Sequence, residues 1–267
     1  MRLDVGSLLG IAVGCSAILL GNALEGGHLA ALVQPTALLI VLGGTLGATM
    51  LGFPLPVFVR AVRALKAVFS EDKHDPAKVI EEIVEYAQKA RRDGIIALER
   101  PIENASDPFL RRALLLAVDG ADSKTMRDNL ELIISHFEED KEQLAKVWES
   151  AGGYAPTMGI IGAVMGLIHV MQSLADVSAV GKGIAVAFVA TIYGVAIANL
   201  LLLPVAFKLK VKLKAETKLL EMMMEGALAI QEGTNPSLIR EKLSGFYRQE
   251  KGKTARASTP AEAEVRT

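Results

Sequence analysis

One cysteine in 267 residues leaves no disulfide framework and no thiolate cluster for a metal. Cys15 lies inside an apolar run, where a thiol behaves as a small hydrophobe. The histidines are few and scattered: His28, His74, His136 and His169 fall in four different segments. Also missing are a GxxxxGK phosphate loop, an HExxH pair and a CxxC pair, so the chain is read as a non-enzyme that needs no cofactor. The net charge of −1, with Lys and Arg interleaved among acids, provides no basic stripe for nucleic acid. Charge is itself scarce over long stretches. Outside residues 60–149 and 208–267 the only charged side chains are Arg2, Asp4, Glu25, Asp176 and Lys182.

What is present is apolar. With 51% hydrophobic residues, 22% charged residues and a mean hydropathy of +0.35, the chain is too apolar for a soluble protein and too charged to be membrane throughout. Its charge must therefore be segregated along the chain. Residues 5–24 hold no charge, and about 20 apolar residues at roughly 1.5 Å rise span the ~30 Å hydrocarbon core. Asp4 and the lack of an A-x-A site argue against a signal peptide. A second span is expected from about Thr36, opened by Pro35 and ended near Phe53 by Pro54 and Pro56. A third is expected over 154–175 and a fourth over 183–207, bounded by Lys182 and Lys208.

The flanks set the orientation. Arg60, Arg63 and Lys66 follow span two, and Lys208, Lys210, Lys212 and Lys214 follow span four, so both ends are expected in the cytoplasm. The fold class read from this is all-α, a polytopic membrane protein with four transmembrane helices and a helical cytoplasmic domain. Its parts are a first hairpin (1–59), a cytoplasmic helical domain (60–149), a second hairpin (150–207), a cytoplasmic C-terminal helix (208–251) and a disordered tail (252–267).

Within the cytoplasmic domain, Val79, Ile80, Ile83, Val84 and Ala87 recur on one face among charged neighbours, which predicts an amphipathic helix ending at Gly94. A further helical stretch is expected over 95–103. Asp107-Pro108 then reads as an N-cap with proline in the first turn of a helix running to residue 118. From about Ser123 a long helical pattern meets no breaker before Gly152-Gly153 and leads toward span three.

The apolar spans carry no acid and no fixed cation. Moving an ion through a membrane normally needs an intramembrane acid, so either no ion passes or another chain supplies the carboxylate. Gly159, Gly162, Ala163 and Gly166 have the small-xxx-small spacing that admits a close helix, which is a partner's helix or this chain's own span four. Pro156 opens span three and Pro204 sits near the cytoplasmic end of span four, each removing a backbone donor; at one depth they would form a hinge. Thr191 is the polar residue at the middle of span four. It either bonds back to its own helix or faces a pore.

Three segments then carry a resemblance: Arg91-Arg92-Asp93-Gly94-Ile95-Ile96-Ala97-Leu98-Glu99, the run from Ala155-Pro156-Thr157-Met158-Gly159 to Gly166-Leu167, and Ala190-Thr191-Ile192-Tyr193-Gly194. Together they resemble the MotA/PomA family of flagellar stator subunits, within the MotA/TolQ/ExbB superfamily. The resemblance implies a homopentamer around two helices of a MotB-like single-span partner with a peptidoglycan-binding domain. That partner's aspartate would carry the ion, and torque would pass to the rotor switch-complex protein. It implies conformational coupling at Pro156 and Pro204, a pore position at Thr191 and rotor contacts at Arg91 and Glu99. Sodium-driven relatives carry threonines where this chain has Ala163 and Ala190, so protons are expected. The implied setting is the lipid of the bacterial inner membrane, with both termini cytoplasmic. A TolQ/ExbB-like proton-channel energiser is the alternative, and the extra N-terminal hairpin favours the flagellar branch.

Overall fold

The computed structural model describes residues 4–70 and 75–257, with side chains to residue 246, and these are helical with short connections. Two compact units result, one made of Met1–Asp72 and Glu139–Leu213, the other of Lys73–Glu138 and Lys214–Thr267.

The first unit holds four helical segments long and apolar enough to cross a membrane. Helix α1 (Val5–Leu24) starts where the Asp4 carboxylate accepts the Ser7 amide at 3.0 Å, satisfying one of the donors that a helix N-terminus leaves free. A 3-10 turn (Leu29–Leu32) leads to α2 (Pro35–Gly52), with Pro35 in its first turn as expected. Phe53 and Pro54 are extended, and α3 (Leu55–Val68) follows with Pro56 in its first turn. Thus Pro54 and Pro56 end one helix and open another.

Helix α6 (Ser123–Gln172) is a single helix of 50 residues that runs through Gly152-Gly153 and includes Pro156. The glycines do not break it: each costs only about 1 kcal/mol relative to alanine in a helix. Helix α7 (Val177–Ile197) begins six residues before the expected start of span four. The Asp176 side chain accepts the amides of Ser178 (2.9 Å) and Ala179 (3.3 Å), and a cap decides a helix start more strongly than the nearest charge does. Lys182 consequently lies inside this helix, near its capped end, where a long stem can carry the charge toward water. A π-turn (Ala198–Leu202) precedes α8 (Leu203–Gln231). It ends two residues before Pro204, whose ring would otherwise meet the carbonyl four residues back.

The second unit contains α4 (Pro76–Asp93), α5 (Pro108–Val118), the first part of α6, the later part of α8, and α9 (Pro236–Ala257). The α4 residues buried are Val79, Ile80, Ile83, Val84 and Ala87, the set picked out by periodicity. They join Leu98, Ile102, Leu110, Leu114, Met126, Leu130, Met222, Met223, Ile239 and Leu243 in one core. The stretch 95–103 forms two 3-10 turns (Ile95–Leu98 and Pro101–Asn104) in place of one helix, since Pro101 cannot donate to a helical ladder. Burial resists ionisation of Glu225, but bonds from Arg127 (2.7 Å) and Lys242 (2.6 Å) outweigh it and hold the carboxyl below its ordinary value. The C-terminal segment is two helices, broken at Gly233 (φ 71°). Of the tail expected from residue 252, residues 252–257 continue α9 and 258–267 lie outside the described residues.

Candidate functional site

The membrane part of α6 and helix α7 form a hairpin held by glycines. A methyl built on Gly159 would stand 2.8 Å from the Ala190 carbonyl oxygen, and one on Gly166 would stand 2.8 Å from the Gly183 carbonyl oxygen. On the other side, a methyl on Gly194 would stand 2.6 Å from the Ala155 carbonyl oxygen and 3.2 Å from Pro156 Cα. Gly162 faces the Ala190 methyl and Ile40. Of the two readings of the small-residue spacing, this geometry fits packing of Gly159, Gly162 and Gly166 on the chain's own α7. A side of a helix consumed by backbone contact at this range has no room for a second helix. Gly183 and Gly194 supply the opposite half of the contact; only the Gly in Ala190-Thr191-Ile192-Tyr193-Gly194 hinted at it.

The two prolines are near each other in the hairpin but not at one depth. Pro156 lies beside Gly194, whereas Gly152, one helical turn earlier, lies beside Leu203, the neighbour of Pro204. Pro156 is half-buried and Pro204 exposed. Ala190 has no exposed surface and is enclosed with Ala37, Val41 and Val189 against α2, while Ala163 is half-buried. Thr191 is half-buried, and its hydroxyl donates to the Ala187 carbonyl at 3.2 Å, the back-bonded arrangement.

Tyr193 was singled out by nothing in its spacing. Its hydroxyl donates to the Leu32 carbonyl and accepts the Gln34 amide at 3.3 Å, so it ties α7 to the connection between α1 and α2. Tyr193→Phe leaves both backbone groups without their partner. We expect the purified protein to lose about 1–3 kcal/mol of stability, read as a lower midpoint of thermal unfolding in detergent; an unchanged midpoint would show that the tie is replaceable by water.

Below the spans, polar contacts join the base of several helices. Lys208 pairs with Asp4 at 2.6 Å, Lys210 with Glu149 at 2.6 Å, and Lys212 donates to the Ser70 carbonyl. The Lys208 ammonium and the Ser7 amide hold the Asp4 carboxyl down at about 2. A lowered carboxylate pKa contributes stability above its unfolded value near 3.8, lost only as pH falls through about 2. The Asp4 carboxyl is therefore ionised across the physiological range.

In the other unit, Arg91 and Glu99 are both exposed, at the end of α4 and after the first 3-10 turn. Gly94 (φ 85°) turns the chain between them, and buried Leu98 anchors that turn. Ile96, 71% exposed on the same turn, adds an apolar group that charge patterning did not single out.

The MotA/TolQ/ExbB proton channel family matches residues 101–222, and the motility protein A N-terminal family matches residues 8–94. Motility protein A of Bacillus subtilis (strain 168) is 38% identical over 245 residues, covering 90% of each chain. Chemotaxis protein PomA of Vibrio alginolyticus is 32% identical over 249 residues, covering 93% of this chain and 97% of PomA. The structure of C. jejuni MotAB superposes with a TM-score of 0.86 at 29% identity, covering 99% of each chain. The flagellar MotAB stator complex of Bacillus subtilis gives 0.83 at 38% identity, covering 88% of this chain and 93% of that one.

Proposed function

The chain belongs to the MotA/TolQ/ExbB proton channel family as a flagellar-motor stator A subunit, and from that premise we propose how it works. It assembles as a homopentamer around two helices of a MotB-like, single-span, peptidoglycan-anchored subunit in the bacterial inner membrane, with both termini cytoplasmic. The complex conducts protons and turns their flow into torque. The observation that carries this reading is the absence of any carboxylate from the apolar stretches of all four spans, so that the ion-binding acid must come from another chain. The motility protein A N-terminal match over residues 8–94 favours the flagellar branch over a TolQ/ExbB-like energiser.

In this mechanism the partner's aspartate takes a proton from the outer side, its neutral form packs differently against spans three and four, and this chain turns around it. Thr191 lies along the pore, Pro156 and Pro204 loosen the helices where motion passes to the cytoplasmic unit, and that unit pushes the rotor. Ala163 and Ala190 provide no hydroxyl for a dehydrated sodium ion, which favours oxygen-rich sites; because Ala190 is enclosed, a threonine there would act first through packing.

The test is proton flux in proteoliposomes. We expect the chain alone to leave the vesicles tight and the complex with its partner to conduct once activated; equal flux from both would overturn the reading. Motility should persist in sodium-free medium and stop with a protonophore, and speed that tracks external sodium at fixed proton-motive force would reassign the ion.

Arg91 and Glu99 meet charged groups on the rotor in this scheme. Surface ion pairs contribute about 0–1 kcal/mol each, so neutralising either one should slow swimming only partly, while Arg91→Glu with Glu99→Lys should slow it more. Charge reversal on the rotor should restore part of the speed. Wild-type swimming by the double variant, as the only stator in the cell, would remove these residues from the contact.

A further inference from the structure

Helix α3 is two-faced. One face carries Val57, Phe58, Ala61 and Ala64 onto Leu144, Val147 and Trp148 of α6. The Trp148 indole N–H donates to the Ala61 carbonyl at 3.0 Å, and Arg60 pairs with Asp140. The other face is a single exposed stripe. Leu55 (60% exposed), Val59 and Val62 recur with Lys66 at i, i+4, i+7 and i+11, and Arg63 stands beside them. No acid occurs in α3, and neither Arg63 nor Lys66 has an ion-pair partner among the described residues.

This face begins three residues after α2 ends at Gly52, where Leu51 is 91% exposed. The stripe is therefore continuous along the chain with the apolar surface of a membrane span. Apolar side chains flanked by long-stemmed cations, directly at the basic end of a span, are what a helix lying in the headgroup layer presents: apolar groups sink toward the acyl chains and the stems carry charge up to phosphate. The Phe53-Pro54 break redirects the chain out of the span at the required place.

We propose that the exposed face of α3 is a binding surface for anionic phospholipid of the cytoplasmic leaflet, with Arg63 and Lys66 holding headgroup phosphate and Leu55, Val59 and Val62 against the acyl chains. The proposal rests on the cytoplasmic placement of the span two end given above. It does not depend on which ion the complex conducts. The surface would moor the short link between span two and the cytoplasmic unit, so that torque on that unit is resisted at the membrane.

The experiment uses the full chain with its partner subunit, reconstituted in nanodiscs of phosphatidylcholine with or without phosphatidylglycerol. A spin label at Val59→Cys, in a Cys15→Ser background, reports immersion through its access to oxygen against a water-soluble nickel chelate. Phosphatidylglycerol retained after delipidation is counted by mass spectrometry. A juxtamembrane cation contributes about a fivefold gain in affinity for an anionic surface. The Arg63→Gln/Lys66→Gln variant should thus bind phosphatidylglycerol roughly thirtyfold more weakly, with the complex still assembled, and the label should sit in the oxygen-rich layer. Three results would overturn the proposal: unchanged phosphatidylglycerol retention in the double variant, a label open to the nickel chelate, or spin–spin coupling showing that a neighbouring copy of the chain covers Val59. Loss of flux with lipid binding intact would count against the stator mechanism and leave this surface standing.

Discussion

Replacing Pro156 by leucine is expected to leave a complex that inserts and assembles at near wild-type yield but does not rotate. Leucine keeps the segment apolar and long enough to span, and it restores an amide hydrogen that can bond the Gly152 carbonyl one turn back. A proline inside a helix costs roughly 3 kcal/mol of backbone free energy, so its removal favours the fully bonded helix by about a hundredfold. Pro156 lies beside Gly194 at the glycine-lined contact between α6 and α7. Stiffening α6 there should block the change in packing proposed to follow protonation of the partner's acid. The check is torque from tethered cells alongside co-purification of the two subunits. A variant that assembles and turns normally would remove this hinge from the mechanism, and one that fails to assemble would make Pro156 a packing residue.

Enlarging the hairpin glycines should have the largest effect on assembly. Gly159→Val and Gly194→Val each drive a side chain onto the backbone of the facing helix, with Cβ at 2.8 Å from the Ala190 carbonyl and 2.6 Å from the Ala155 carbonyl. Backbone cannot step aside as a side chain tip can. Overpacking of this kind costs about 1–3 kcal/mol or more, and the helices must separate along their length. We expect a lower unfolding midpoint in detergent and loss of the co-purified partner. Gly10→Ala and Gly47→Ala serve as controls, since a methyl there meets nothing within 4 Å; both should melt like the parent. Wild-type melting of the two valine variants would mean that α6 and α7 are not in the contact described.

Asp4–Lys208 and Glu149–Lys210 join helix bases outside the apolar region, and the Asp4 carboxyl, held at about 2, keeps its charge near neutral pH. A pH effect on motility near neutrality therefore does not arise from the Asp4 carboxyl.

Much of the chain was legible in one dimension. Four spans follow from runs of uncharged residues, and the α4 core face follows from period. The starts at Pro35 and Pro108 follow from local chemistry that needs no knowledge of neighbours. The start of α7 is also written locally, in the Asp176 carboxylate, although the charge on Lys182 points to a later start. The π-turn before Pro204 was not readable, because it is one of several ways a helix can accommodate a proline.

The sequence by itself determined that the chain is helical, where its membrane segments lie, and that their apolar stretches bear no acid, because burial in hydrocarbon sorts residues by charge and length alone. Tertiary structure alone decided which helix the small residues meet. Glycines four apart fit any helix that comes close, and carry no mark of whose helix it is. Only the fold turns Gly159 and Gly166 to the backbone of α7, offsets Pro156 from the turn beside Pro204, encloses Ala190 under α2, and brings Tyr193 to the Leu32 carbonyl across 161 residues of chain. Such contacts depend on which surfaces meet, and a surface acquires a neighbour only when the whole chain has packed.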